Sequence, residues 1–199
     1  MLKLRRIAIT GGIASGKTSV CRVFQELGAF VVNADAIVHE LLATNTNLSQ
    51  QIIRLLGPDI LIDGKLSRQM IADKVFKDSE ALHALEKLLH PAVLHQIEEL
   101  YQTARQSGMY TAFVVESPLL FEIGQDQFYD TVIAVVADES ASRERFRKAG
   151  FGAEEYDRRM KRQLPTEEKA QRADYIIYNN GSLDSLRKQV IELNNQQLA

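Results

Sequence analysis

Five short stretches of the chain are apolar at every position rather than at alternate ones: Ile7-Ala8-Ile9, Phe30-Val31-Val32, Ala112-Phe113-Val114-Val115, Val132-Ile133-Ala134-Val135-Val136 and Tyr175-Ile176-Ile177. Strands that are β-branched and apolar on both faces belong inside a parallel sheet covered by helices on each side. Between the first two stretches, Val20, Val23, Phe24 and Leu27 form a stripe at helical spacing that Gly28 ends. This is a complete βαβ unit, and its crossover is expected to be right-handed.

The interval of about eighty residues from the second stretch to the third has helical periodicity. It predicts a helix over 48–56, stopped by Gly57-Pro58, and a turn at Asp63-Gly64. Ser67 is placed to cap a helix through Phe76, and Ser79 another through Leu89. Pro91 suits the first turn of a further helix running to about Arg105. A second helical stretch, roughly 139–172, precedes the last strand. The expected fold is therefore α/β and three-layered, with a five-stranded parallel sheet, a helical insert and a helical lid. The core is expected at about 1–35, 110–138 and 173–199, the insert at about 36–109 and the lid at about 139–172.

The strongest chemical signal lies between the first strand and its helix. Gly11 and Gly16-Lys17-Thr18 match G-x-x-x-x-G-K-[ST] in the strand–loop–helix context that this motif requires. Glycines let the backbone curl with successive N–H groups pointing inward, and the helix that follows adds its dipole and free N–H groups. Lys17 is expected to reach the β- and γ-phosphate oxygens, and the Thr18 hydroxyl to ligate Mg²⁺. The signal establishes a phosphate site for ATP, makes the expected three-layer fold that of a P-loop NTPase, and leaves the acceptor open.

Two carboxylates follow strands at the end of the sheet where ligands collect. Asp35 comes just after the second strand. It is placed either to accept an acceptor's proton and hold a magnesium water, or to cap the helix over 36–42. Glu116 ends the third strand, where a carboxylate would contact Mg²⁺, although an ordinary strand-end charge reads the same way. His90 sits between two predicted helices and is read as structural. His39, His83 and His95 lack metal-ligand spacing.

Charge changes the picture by its distribution. The net charge is −2, which does not point to nucleic acid or an anionic membrane as partner. Yet between Arg143 and Arg172 ten Lys/Arg face six Asp/Glu. Beside a phosphate loop, such a segment is either a solvated helix pair or a phosphate clamp. The chain has 199 residues, 45% of them apolar, enough for one α/β domain with an inserted subdomain. The N-terminal stretch through Arg6 leaves no room for a secretory h-region, and no apolar run could span a bilayer. The single cysteine, Cys21, cannot form an internal disulfide and is read as packing in the helix after the loop. A cytoplasmic protein is expected. Oligomeric state is not legible.

Several segments taken together resemble the dephospho-CoA kinase family from end to end. They are Thr10-Gly11-Gly12-Ile13-Ala14-Ser15-Gly16-Lys17-Thr18, Ala34-Asp35, Leu88-Leu89-His90-Pro91 and Pro118-Leu119-Leu120-Phe121-Glu122. Arg159 with Gln163, Glu168-Lys169 with Ala173-Asp174, and Asn180-Gly181 complete the set. The resemblance implies transfer of the ATP γ-phosphoryl group to the ribose 3′-hydroxyl of dephospho-CoA, with Mg²⁺. It implies Asp35 and Lys17 as catalytic groups, and Thr18, Asp35 and Glu116 around the metal. It implies Gly12, Ile13, Ala14, Ser15, Gly16, Lys17, Thr18 and Ser19 on the phosphates. Arg145 and Arg159 then belong to a lid over the ATP phosphates, the Asn179-Asn180-Gly181 turn lies near the adenine, and the insert takes the CoA-like substrate. The chain departs from the family pattern at Asn33, where an acidic residue is common, and at Ala149, near which a lid arginine is usual. A nucleoside monophosphate kinase would need a pair of arginines in the insert, which offers only the widely spaced Arg54, Arg68 and Arg105. A GTP-dependent switch would carry Asn-Lys-x-Asp, which is absent.

Overall fold

The computed structural model describes residues 3–43 and 47–198. Two compact units divide the chain: Met1–Val32 with Ala104–Ala199, and Asn33–Thr103.

The first unit holds the sheet. Its strands are β1 (Arg6–Gly11), β2 (Phe30–Asn33), then, in chain order beyond the insert, Phe113–Glu116, Thr131–Val136 and Tyr175–Tyr178. The second unit contributes a small hairpin, β3 (Leu61–Ile62) and β4 (Lys65–Leu66), so the later three strands are β5, β6 and β7. The sheet order is β2-β5-β1-β6-β7. β1 lies parallel to β5 with Ile7 beside Val114, and parallel to β6 with Ile9 beside Ile133.

The two-sided apolar pattern has a direct structural cause. Ile7, Ile9, Val114, Ile133 and Val135 share one core with Val20, Phe24, Leu186 and Val190. Those last residues come from α1 (Lys17–Glu26) and the C-terminal helix Leu183–Leu193. Ala8 and Val132 alternate to the opposite face, where they meet Leu120, Phe121, Leu164 and Ala173. The sheet is thus covered on both faces, and the expected three-layer α/β architecture is observed.

Helix α1 ends at Gly28, whose φ of 87° is in the left-handed region that favours glycine. The segment between β6 and β7 is three helices, read in chain order as Glu139–Lys148, Ala153–Met160 and Thr166–Arg172.

The second unit contains α2 (Ala34–Ala43), α3 (Asn47–Leu56), the hairpin, α4 (Arg68–Val75) and most of α5 (Ser79–Ser107). The helices of the β6–β7 segment are therefore α6, α7 and α8, and the C-terminal helix is α9. A separate core of Leu42, Ile52, Leu56, Ile60, Ile71, Val75 and Leu85 holds this unit together. Ser67 caps α4 by accepting from the Met70 N–H. Asp63 and Gly64 both have positive φ, 50° and 74°, as a tight two-residue hairpin turn demands. The turn was expected; the strands flanking it were not.

One helix boundary is corrected. The two helices expected on either side of Pro91 are a single helix, α5, of 29 residues with the proline inside. Proline removes one N–H and crowds the carbonyl four residues back. The buried stripe Leu85, Val93, Ile97 and Tyr101 nevertheless runs straight through at multiples of four. Continuous burial on that face outweighs the local penalty.

Candidate active site

The loop between β1 and α1 is shaped by residues that tolerate no substitute. Gly11 has φ 141°, and a Cβ there would lie 2.2 Å from the Val135 carbonyl oxygen on the neighbouring strand. Gly16 has φ 103°, and its Cβ would lie 2.1 Å from Nδ2 of Asn179. Both positions need the absence of a side chain as much as the backbone freedom. Ala14 also adopts a positive φ, 52°. Gly16 occupies the cap position of α1, no side chain caps the helix, and its first turn carries no acidic residue. The N-terminal amides and dipole of α1 therefore face no competing negative group of the helix itself, which suits an anionic ligand. The Ser15 hydroxyl oxygen is buried with no hydrogen-bond partner.

Lys17 is buried, and its ammonium donates to the carbonyls of Gly11 (3.2 Å) and Gly12 (2.7 Å). It thus folds back over the loop, held where phosphate oxygens would lie. Thr18 donates its hydroxyl to Oε1 of Glu116 at 2.9 Å, so the loop and the end of β5 meet through two oxygen donors. Glu116 is buried. A hydroxyl and a carboxylate oxygen side by side are the hard donors Mg²⁺ takes, with water and phosphate supplying the rest of its shell. Among the described residues no three His, Cys, Asp or Glu gather into a metal cluster.

Asn179 opens the turn that the resemblance places near the adenine, yet its side chain bonds the phosphate loop instead. It is buried at the end of β7 and donates from Nδ2 to the Ser15 carbonyl at 2.8 Å. Its own carbonyl accepts from Nη2 of Arg145 at 2.7 Å, and Nη1 of Arg145 reaches the Ala14 carbonyl at 3.5 Å. Arg145, on α6, thus stitches the loop to the turn after β7. Asn180 turns elsewhere: its side chain accepts from the Asp138 N–H and donates to Oδ1 of Asp138, both at 2.8 Å. Gly181 follows at the start of α9, beside Ser185.

The basic segment is mostly self-paired. Arg143 bonds Glu139 and Asp157, Arg147 bonds Glu144, and Arg172 lies near Asp126 and Glu168. Arg159 pairs with Glu155 and stands over the rings of Phe146 and Phe151, so within this structure it is engaged on its own segment rather than at the loop. Ala149 ends α6 as its C-cap.

Asp35 lies in the second unit, exposed in the first turn of α2. The capping alternative does not hold for it. Asn33 does that work, accepting from the Ala36 N–H at 2.9 Å. The Asp35 carboxylate is thereby left uncommitted to the helix start.

Burial raises the Cys21 thiol far above its ordinary range, with the nearby Glu116 charge adding to the effect. It is a packing residue in α1 and no nucleophile.

A glycine-shaped loop at a bare helix N-terminus, a lysine folded over it and a hydroxyl–carboxylate pair at its edge are what a nucleotide phosphate would require. The dephospho-CoA kinase family model matches residues 5–185. The chain belongs to the dephospho-CoA kinase family. It is 47% identical to the dephospho-CoA kinase of Protochlamydia amoebophila over 97% of this chain and 96% of that protein. In three dimensions it resembles a Thermus thermophilus protein of known crystal structure, with a TM-score of 0.85, 30% identity and full coverage of both chains. It also resembles the dephospho-CoA kinase from Campylobacter jejuni, with a TM-score of 0.72, 27% identity and coverage of 97% and 96%. Membership favours dephospho-CoA over a nucleoside monophosphate as acceptor. Among the described residues no helix is long and apolar enough to cross a membrane.

Proposed function

We propose that this member of the dephospho-CoA kinase family transfers the γ-phosphoryl group of ATP to the ribose 3′-hydroxyl of dephospho-CoA through the loop built on Gly12–Thr18. The observation that carries the assignment of the site is the convergence of Lys17, Thr18 and Glu116 at the N-terminus of a helix whose own first turn carries no acidic residue.

Phosphoryl transfer passes through a loose transition state, so the protein's task is to position groups and neutralise charge. The loop amides and Lys17 supply fixed positive potential to the phosphates. Lys17 exchanges its bonds to the Gly11 and Gly12 carbonyls for phosphate oxygens when ATP enters. Thr18 and Glu116 would hold Mg²⁺, which, when bound, offsets charge on the β- and γ-phosphates. Asp35 orients the 3′-hydroxyl and accepts its proton late in the reaction. What supports that role is its place just after β2, at the carboxyl end of a sheet strand, and its freedom from capping. The helical unit 33–103 takes the CoA-like substrate, and α6 to α8 form the lid, fastened to the loop by Arg145. With Cys21 unable to pair and redox-inert by burial, the cytoplasm suits this enzyme.

The test is ADP formation with dephospho-CoA set against adenosine, AMP, dTMP and pantetheine phosphate. Turnover at least about a hundred times faster with dephospho-CoA, dependent on Mg²⁺, is the expected result. Equal or better use of a nucleoside monophosphate would overturn the assignment.

A further inference from the structure

The best-shielded charge of the first unit lies outside everything assigned so far. Lys169, on α8, is completely buried. Its ammonium donates to the Pro118 carbonyl at 2.6 Å and to Oε1 of Gln163 at 3.3 Å, and pairs with Oε1 of Glu122 at 2.8 Å. Three protons thus meet three acceptors. Glu122 in turn accepts from the Leu164 N–H at 2.8 Å, while its Oε2 is buried without a partner. Burial holds the Lys169 ammonium below the usual lysine range, against the opposing pull of Glu122.

Such a pair is a poor stabilising device. Desolvating two charges costs about as much as their attraction returns, and an apolar pair of similar volume often does as well. Its value lies in what it orients. An ammonium can only donate, so it selects the oxygen of the Gln163 amide and leaves the NH₂ end turned the other way. Gln163 lines a cavity of about 510 Å³ together with Gly12, Ser15, Tyr156 and Thr166. The start of α8 presses on the loop there, since a Cβ on Gly12 would lie 2.9 Å from Oγ1 of Thr166. The cavity that the loop residues Gly12 and Ser15 line therefore also carries an amide whose other end is a donor, and phosphate oxygens only accept.

We infer that Gln163 is a phosphate-binding donor of the nucleotide site, and that the buried Lys169–Glu122 pair is the positioning device that turns its NH₂ group into the cavity. The inference rests on the loop being the phosphate site. Four variants test it in the dephospho-CoA-dependent ADP assay, with urea unfolding run alongside. Gln163→Glu keeps the oxygen that Lys169 holds and replaces the donor with an acceptor, negatively charged at neutral pH. Stability is expected to be unchanged or higher, while kcat/KM for ATP falls about ten- to a hundredfold, the scale of a hydrogen bond to a charged group. Part of the loss should return at low pH, as the new carboxyl takes up a proton and regains a donor. Gln163→Met should lose a similar factor at all pH values. Lys169→Met combined with Glu122→Gln removes both buried charges at once. In the Gln163→Met background this double change should alter kcat/KM by less than about threefold, because its effect runs through Gln163.

A pair that is only a structural bolt predicts different results. Gln163→Glu would then keep wild-type kcat/KM, or the double change would cost as much without Gln163 as with it. Either outcome overturns the inference. If the charge-free double variant does not fold, the two Gln163 variants decide. Lys17→Ala separates the layers of the argument. Activity surviving that change removes the phosphate-site reading itself, whereas activity lost there but kept in Gln163→Glu removes the inference alone.

Discussion

Asn179 offers the sharpest test of how the phosphate loop is held. Its Nδ2–H bond to the Ser15 carbonyl is 2.8 Å long and fully inside the protein, and the same amide leaves no room for a Cβ on Gly16. Asn179→Asp preserves the shape and replaces the donor with an acceptor. The Ser15 carbonyl then faces an oxygen instead of an N–H. Losing the bond costs about 0.5–1.5 kcal/mol, and leaving a buried acceptor unsatisfied costs about 1–3 kcal/mol. A destabilisation of about 2–4 kcal/mol is therefore expected. The ATP site should suffer as well, since a carboxylate beside Ser15 and Gly16 adds negative charge where phosphates bind. KM for ATP should rise by about tenfold or more, because 1.4 kcal/mol of lost binding is already a factor of ten.

Asn180→Asp is the built-in control. Asn180 is one residue away and exposed, and both its bonds go to Asp138 rather than to the loop. It should lose under about 1 kcal/mol, as exposed polar contacts do, with KM for ATP nearly unchanged. Urea unfolding midpoints and initial-rate kinetics at saturating dephospho-CoA measure both effects. Equal losses at the two positions, or an Asn179→Asp protein within about 0.5 kcal/mol of the parent, would refute the claim that this side chain sets the loop.

Three further outcomes follow from the geometry. Asp35→Asn should lower kcat by about 10²–10⁴ with little change in stability, whereas Asn33→Ala, which removes the real cap of α2, should cost about 1 kcal/mol; the two effects exchanged between the positions would contradict the assignment. Arg145→Ala should cut kcat/KM for ATP by about tenfold or more, because its guanidinium bonds two loop-side carbonyls. Arg159→Ala, paired with Glu155 and stacked on Phe146 and Phe151, should stay within about threefold of the parent. Finally, burial pushes the Tyr129 phenol up to about 12, so the native state keeps its proton while the unfolded chain loses it near pH 10. The stability this contributes is present below pH 10 and is lost as pH rises through 12, by up to about 2–3 kcal/mol, and Tyr129→Phe should flatten that fall in alkaline denaturation curves.

The readable part of the molecule is the part whose physics is local. The central strands β5, β1 and β6 were visible because each packs two faces, so nearly every position is apolar, and the edge strands β2 and β7 were visible as apolar runs although β7 leaves Ile176 and Tyr178 exposed. Helix ends at Gly28, Ser67 and Gly57 were visible because cap and turn chemistry acts within a few residues. The hairpin β3–β4 was not, since two-residue strands leave no period to detect. Pro91 misled for a related reason: its local penalty is real, and only the burial of Leu85, Val93, Ile97 and Tyr101 shows that packing overrides it. At Asp35 the sequence left capping and catalysis even. What removes the capping alternative is a single bond from the Ala36 N–H to Asn33, the residue that departs from the family's usual acidic pattern. A carboxylate lost at position 33 is thus an amide gained at the helix start.

The same division runs through the site. Residues expected to touch phosphate lie within one turn of chain, Gly11 to Thr18, and announce themselves as a motif. The partners that fix its surroundings come from far along the sequence: Asn179 is separated from Ser15 of the loop by 164 positions, and the buried Lys169 from its acceptor Pro118 by 51. In the sequence Lys169 follows Glu167 and Glu168 and reads as a solvated charge run, yet it is the most deeply buried cation described. No pattern of polar and apolar positions distinguishes a buried lysine from an exposed one, because the pattern records the residue and not its partners. What could have flagged it is the company of Pro118 and Glu122 in one segment and Gln163 in another. Each alone is unremarkable, but a lone buried charge is expensive enough that its acceptors must be supplied somewhere in the chain. In this protein they lie on Pro118–Glu122 and at Gln163, in two of the segments that the family resemblance singled out.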